Sequence, residues 1–128
     1  MKLKSQVVRE DPTSQAFSYG ISAQSVGARG IYMHVSPIPP GLRTQPHKHD
    51  HYETAAYVIS GQVELWSGYE LEDHLIVNSG EFVYIPAGMP HVVGNPSKTE
   101  VSVAVLARNY ADEEEVEEQL PQLDQLVS

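Results

Sequence analysis

The chain has 128 residues and not one cysteine, which excludes disulfides, zinc-thiolate sites and thiol nucleophiles. Any metal it holds must be bound by nitrogen and oxygen. Basic residues are also scarce, eight Lys and Arg against 17 Asp and Glu, for a formal charge of −9. Seven of those acids (Asp112, Glu113, Glu114, Glu115, Glu117, Glu118 and Asp124) fall in residues 111–128, which carry no base, so residues 1–110 hold ten acids against all eight bases. The body of the chain is nearly neutral, and no stripe of Lys and Arg offers a phosphate backbone an electrostatic footprint. Nucleic acid is thereby excluded as an expected partner. Long apolar runs are missing too: none approaches the roughly 20 residues of a membrane span, and the charged start Met1-Lys2-Leu3-Lys4 leads into no apolar leader core. A cytoplasmic protein with no membrane partner is the expectation.

What is present is enough apolar sequence, 41%, for one globular domain with a real core. Runs of β-branched and aromatic residues at 30–36, 54–60, 62–66, 71–77, 82–85 and 101–107 have strand length. Turn chemistry separates them: Pro39-Pro40-Gly41, Ser60-Gly61, Ser67-Gly68, Asn78-Ser79-Gly80, Pro86-Ala87-Gly88 and Asn95-Pro96-Ser97. The pattern predicts an all-β sandwich or barrel over residues 1–110. Residues 111–128 read differently. Asp112 followed by Glu115 resembles an N-terminal capping box, and Val116, Leu120, Leu123 and Val127 recur at roughly helical spacing. A short, acidic, amphipathic helix packed on the barrel is expected there, with Pro121 kinking it or starting a new turn.

Two segments carry chemistry. His47-Lys48-His49-Asp50-His51-Tyr52-Glu53 is rich in metal-binding side chains, and His91 sits just past the Pro86-Ala87-Gly88 turn. Side chains two apart on a strand share a face, so His47 and His49 can aim at one interior point. Glu53 and His91 are candidates to close the set from neighbouring strands. Three imidazoles and a carboxylate suit one divalent first-row ion, Mn, Fe, Co, Ni, Cu or Zn, with positions open to water or substrate.

The same residues resemble the two motifs of the cupin family. Gly41, five residues, His47-x-His49, then Glu53 and Gly61 is similar to the first; Gly80, five residues, Pro86-x-Gly88-x-x-His91-x-x-x-Asn95 matches the second at every position. The resemblance implies a small jelly-roll-like barrel, a double-stranded β-helix, holding a metal inside. It also implies a homodimer paired through sheet edges, and a dioxygenase, isomerase, decarboxylase or lyase acting on a small oxygen-bearing or carboxylate-containing molecule. The alternatives are a module that only captures or senses a small ligand, and a structural dimer with an adventitious site.

One departure falls on a ligand position. The family's glutamate is usually followed by six residues and then glycine, whereas seven separate Glu53 from Gly61. If Thr54, Ala56 and Val58 face inward, Glu53, Ala55 and Tyr57 face out. A bulge near 53–54 would return Glu53 to the interior; alternatively His51, which shares the parity of His47 and His49, takes its place. His34 and His74 are expected to be surface or satisfied core residues, His34 retaining interest because its strand leads into the first motif. Tyr57, Trp66, Tyr69 and Tyr84 are expected in the core or at a subunit interface. Arg43 is the nearest candidate to clamp a substrate carboxylate.

Overall fold

The computed structural model describes residues 2–3, 6–11 and 14–127, with residues 6–11 and 14–19 as backbone only. Two antiparallel sheets face each other. The first runs β1 (Gln6–Asp11), β2 (Ser14–Ile21), β3 (Tyr32–Ile38), β10 (Ser102–Arg108), β5 (Thr54–Ser60) and β8 (Phe82–Ile85). The second runs β11 (Glu118–Gln119), β4 (His47–Lys48), β9 (His91–Gly94), β6 (Gln62–Ser67) and β7 (Asp73–Asn78). A single turn of helix, α1 (Ala23–Val26), and a 3₁₀ helix at Pro121–Leu126 complete the described elements. None of the described helices is long and apolar enough to cross a membrane.

The alternating patterns sort side chains onto the two faces of each sheet. Ile38, Val58, Val63 and Val77 come from both sheets and meet in one buried cluster, against which Leu42, Val83 and Val93 pack. This cluster fills one end of the barrel. The opposite parity of the second sheet puts Trp66 and Val92 on its outer face, where Leu71 joins them and Leu123 and Val127 of the C-terminal segment cover them. Val92 is thereby fully buried.

The C-terminal segment differs from its expected form. Residues 112–117 are not helical, residues 118–119 pair with β4, and only Pro121–Leu126 turn, as 3₁₀. The side chains that would cap a helix are engaged elsewhere: Asp112 accepts from the Gln24 side chain at 2.8 Å and from the Glu114 amide at 2.9 Å, and Glu115 accepts from Arg108 at 3.0 Å. Pro121 stands at the start of the 3₁₀ turn, where its missing N–H costs nothing. The aromatic expectation also divides. Trp66 is buried, while Tyr57, Tyr69 and Tyr84 are 38, 74 and 61% exposed.

Candidate metal centre

His47 and His91 stand directly opposite each other where β4 pairs with β9, and His49 follows two residues later. The three rings converge: one nitrogen from each lies within 4.8 Å of the others, and all three residues are buried. They line a cavity of about 600 Å³ between the sheets.

The backbone orients these rings. The Nδ1 of His47 lies 2.7 Å from the Gln45 carbonyl and that of His91 lies 2.9 Å from the Met89 carbonyl, each two residues back along the chain. The Nδ1 of His49 lies 3.2 Å from the Val116 carbonyl and 2.6 Å from the Tyr52 hydroxyl. A carbonyl only accepts, so for His47 and His91 these contacts put the proton on Nδ1 and leave the Nε2 lone pair free to ligate, while the His49 ring is oriented by both a carbonyl and a hydroxyl at Nδ1. Burial, and then the neighbouring His47 ring, lowers the His91 pKa to about 3; burial is also the largest cause lowering that of His49. Both are neutral near pH 7, the form a metal requires. Three buried imidazoles, each with its Nδ1 against a backbone carbonyl, are a donor set that fits a divalent first-row ion.

Neither candidate for the fourth position joins this triad. Glu53 is exposed on the outer face, where its carboxylate accepts from the Tyr84 hydroxyl at 2.6 Å and its amide donates to the Asn109 side chain at 2.9 Å. From Thr54 to Val58 the strand pairs with β10 without interruption, and Thr54 lines the cavity. The register shift in β5 comes later, at Ile59, which lies between the paired residues Val58 and Ser60. No bulge at 53–54 therefore turns Glu53 inward. His51 is exposed in the bend before β5.

Carboxylates reach the triad from elsewhere in the chain. Glu117 Oε2 lies 3.6 Å from His47 Nε2, and ligand atoms of His49, Glu115 and Glu117 lie within 4.8 Å of one another. The expectation for the acidic tail is an amphipathic helix packed on the barrel, and its spacing shows no sign that residues 118–119 pair with β4. The cavity's buried cation was missed as well. Arg108, its side chain 4% exposed, lies over the Tyr32 ring at 3.6 Å and donates to Glu115, the Tyr110 carbonyl and the Asp112 carbonyl. Arg43 lines the cavity too but pairs with Asp124 at 2.6 Å. His34 also lines it, bonded to the Tyr32 hydroxyl, and burial lowers its pKa to about 4. His74 is outside, stacked on Trp66 and bonded to Glu64.

Comparison with known proteins places the fold and the family. A germin-like protein of Arabidopsis thaliana, subfamily T member 3, is 32% identical over an alignment covering 76% of this chain and 51% of that protein. The chain spans about half the length of this curated relative. A solved protein with a double-stranded β-helix domain from Klebsiella pneumoniae superposes with a TM-score of 0.68 at 18% identity, over 88% of this chain and 90% of that one. Oxalate oxidase in complex with glycolate superposes at 0.70 and 21% identity, over 87% of this chain and 59% of that one. At such identities the likeness is one of fold. The family profile of the cupin domain matches residues 34–107, a stretch that contains His47, His49 and His91 and more than half of the chain, and on that match the chain belongs to the cupin family.

Proposed function

We propose that His47, His49 and His91 hold one divalent transition metal, and that the protein is an enzyme acting on a small oxygen-bearing or carboxylate-containing molecule in the cavity beside it. The observation that carries this reading is the convergence of three buried imidazoles whose Nδ1 atoms are all engaged by protein oxygens. A bound ion would supply Lewis acidity, or oxygen activation if redox-active. The surrounding residues support the substrate class. A cavity of about 600 Å³ is within the range of small-molecule sites, and Arg108 is among its lining residues, a side chain whose guanidinium suits a planar carboxylate and whose Nε, Nη1 and Nη2 already donate to Tyr110, Glu115 and Asp112 respectively. The aromatic faces of Tyr32 and Tyr52 hold that guanidinium in place. The oxalate oxidase complex with glycolate is consistent with a small hydroxy acid or dicarboxylate as the class to test first.

The first test is elemental analysis of purified protein alongside titration with Mn²⁺, Co²⁺ and Zn²⁺. One ion per chain is expected, with His91→Ala weakening binding at least a hundredfold. A fully folded wild type that binds none of the three would overturn the metal reading. Loaded protein is then assayed for oxygen uptake and turnover on a panel of small acids and enols.

A second reading, a non-catalytic binder or sensor of the same ligand class, is favoured by one observation. Outside the triad, the titratable groups lining the cavity are few and engaged: His34 is held neutral by burial, Glu115 accepts from Arg108, and Glu117 lies 3.6 Å from His47 Nε2. Ligand binding by the loaded protein without turnover on that panel would select it.

A homodimer is part of the proposal. Its support is the outer face of the first sheet, where Met33, Tyr57, Phe82 and Tyr84 are all more than a third exposed and the Tyr57 and Phe82 rings lie 4.8 Å apart, an apolar patch of the kind that marks an interface.

A further inference from the structure

We propose that the carboxylate completing the metal centre is Glu117, supplied by the C-terminal segment, and that Glu53 takes no part in ligation. This rests on the triad being a metal site.

The distances favour Glu117. Two donor atoms each about 2.1 Å from a shared ion lie about 3.0–3.5 Å apart in octahedral or tetrahedral arrangements. Glu117 Oε2 is 3.6 Å from His47 Nε2, and a Glu117 carboxylate oxygen lies within 4.8 Å of a His49 ring nitrogen. A small side-chain adjustment brings it onto an ion held by the three histidines. Glu115 is the neighbouring alternative, but its Oε1 is already taken by Arg108 Nη1 at 3.0 Å. The acidic residues alone would be an unremarkable surface; here they face three buried imidazoles, of which His91 is 3% exposed with its only hydrogen bond among the described residues at Nδ1.

The chain holds Glu117 in position from both sides. Before it, Arg108 binds the Glu115 carboxylate and the Asp112 carbonyl, and the Val116 carbonyl meets the His49 ring. After it, Glu118 and Gln119 pair with Lys48 and His47, and the Leu120 amide donates to the Pro46 carbonyl at 2.8 Å. Leu120 is buried, and Leu123 and Val127 pack on the Trp66 cluster. The strand that brings Glu117 to the site is thus paired with the very strand that carries His47. An internal glutamate on β5 is not needed, and Glu53 is free to serve the outer face, where Tyr84 and Asn109 hold it. Because Glu115 and Glu117 flank the Val116 carbonyl that orients His49, ligation also couples the metal to docking of the tail.

The test titrates Co²⁺ into wild type, Glu117→Gln and Glu53→Gln by calorimetry and records the visible bands of the bound ion, which respond to its ligands. Glu117→Gln is expected to weaken binding at least tenfold and to shift the bands, with an unchanged melting temperature for the metal-free protein because the side chain is one-third exposed. Glu53→Gln is expected to stay within threefold of wild type with the same bands. Unchanged affinity in Glu117→Gln, or a loss there without a band shift, overturns ligation by Glu117 while leaving the triad standing. Loss of affinity with a band shift in Glu53→Gln overturns it as well. A wild type that binds no Co²⁺ overturns the metal site itself.

Discussion

Asn95, the last residue of the second motif, touches neither the triad nor the cavity. Its buried amide donates to the carbonyls of Ile38 and Glu100 at 2.9 and 2.8 Å and accepts from the Ser97 amide at 2.9 Å, tying the end of β3 to the turn before β10. Asn95→Ala removes all three bonds and leaves a buried carbonyl unpaired, so a loss of about 3 kcal/mol is expected in urea unfolding, with metal affinity unchanged. His34 makes a second prediction, in pH. Its folded pKa of about 4 lies below the ordinary histidine value of 6.5, so between those values the unfolded chain binds the extra proton. Stability is therefore fully present above about pH 6.5 and is lost as pH falls towards 4, by about 3 kcal/mol at most. Thermal melts across that range are expected to show a flatter acid limb in His34→Gln than in wild type. The role of His34 was only half legible: its strand position pointed to the site, but its burial depends on how the sheets close.

Strand β5 and the tail show where elements depart from the expectations of local sequence. The alternation that places Glu53 outside was readable from counting back to Gly61; the Ile59 irregularity that leaves it there depends on pairing with β10. Gly61 closes the turn from β5 to β6 with φ +76°, and a Cβ there would stand 2.7 Å from Ser102 Oγ and 3.0 Å from Ser102 Cα. Gly61→Ala is expected to cost about 2 kcal/mol from backbone strain and displacement of Ser102, measured as a lowered melting temperature. In the tail, apolar spacing predicted a helix, yet Leu120 is buried and Leu123 and Val127 are partly buried without one, because extended pairing with β4 and a 3₁₀ turn bring these side chains to the barrel, while Val116 stays 45% exposed. Spacing picked out Leu120, Leu123 and Val127 but not the exposure of Val116, and it did not determine the backbone that carries them.

At the scale of the molecule, the open question is what covers the outer face of the first sheet. Phe82 is 79% exposed beside Tyr57 and Tyr84, and a second copy is the proposed occupant. Phe82→Glu is expected to shift the sedimentation coefficient from dimer to monomer while leaving metal content unchanged; a wild type that already sediments as a monomer removes the dimer from the proposal.

Local sequence patterns were enough to specify the barrel and the histidine triad. Turn residues, strand-length apolar runs and the offsets of His47, His49 and His91 are local patterns, and each translates directly into a strand end, a face or a position at a turn. The tertiary structure alone decided what surrounds the triad. Arg108 is 61 residues from His47 and Glu117 is 70; what brings them to it is the pairing of β10 with β3 and β5 and of β11 with β4. Such proximities arise from backbone hydrogen bonds between distant segments, which leave no periodicity or spacing for a sequence to display.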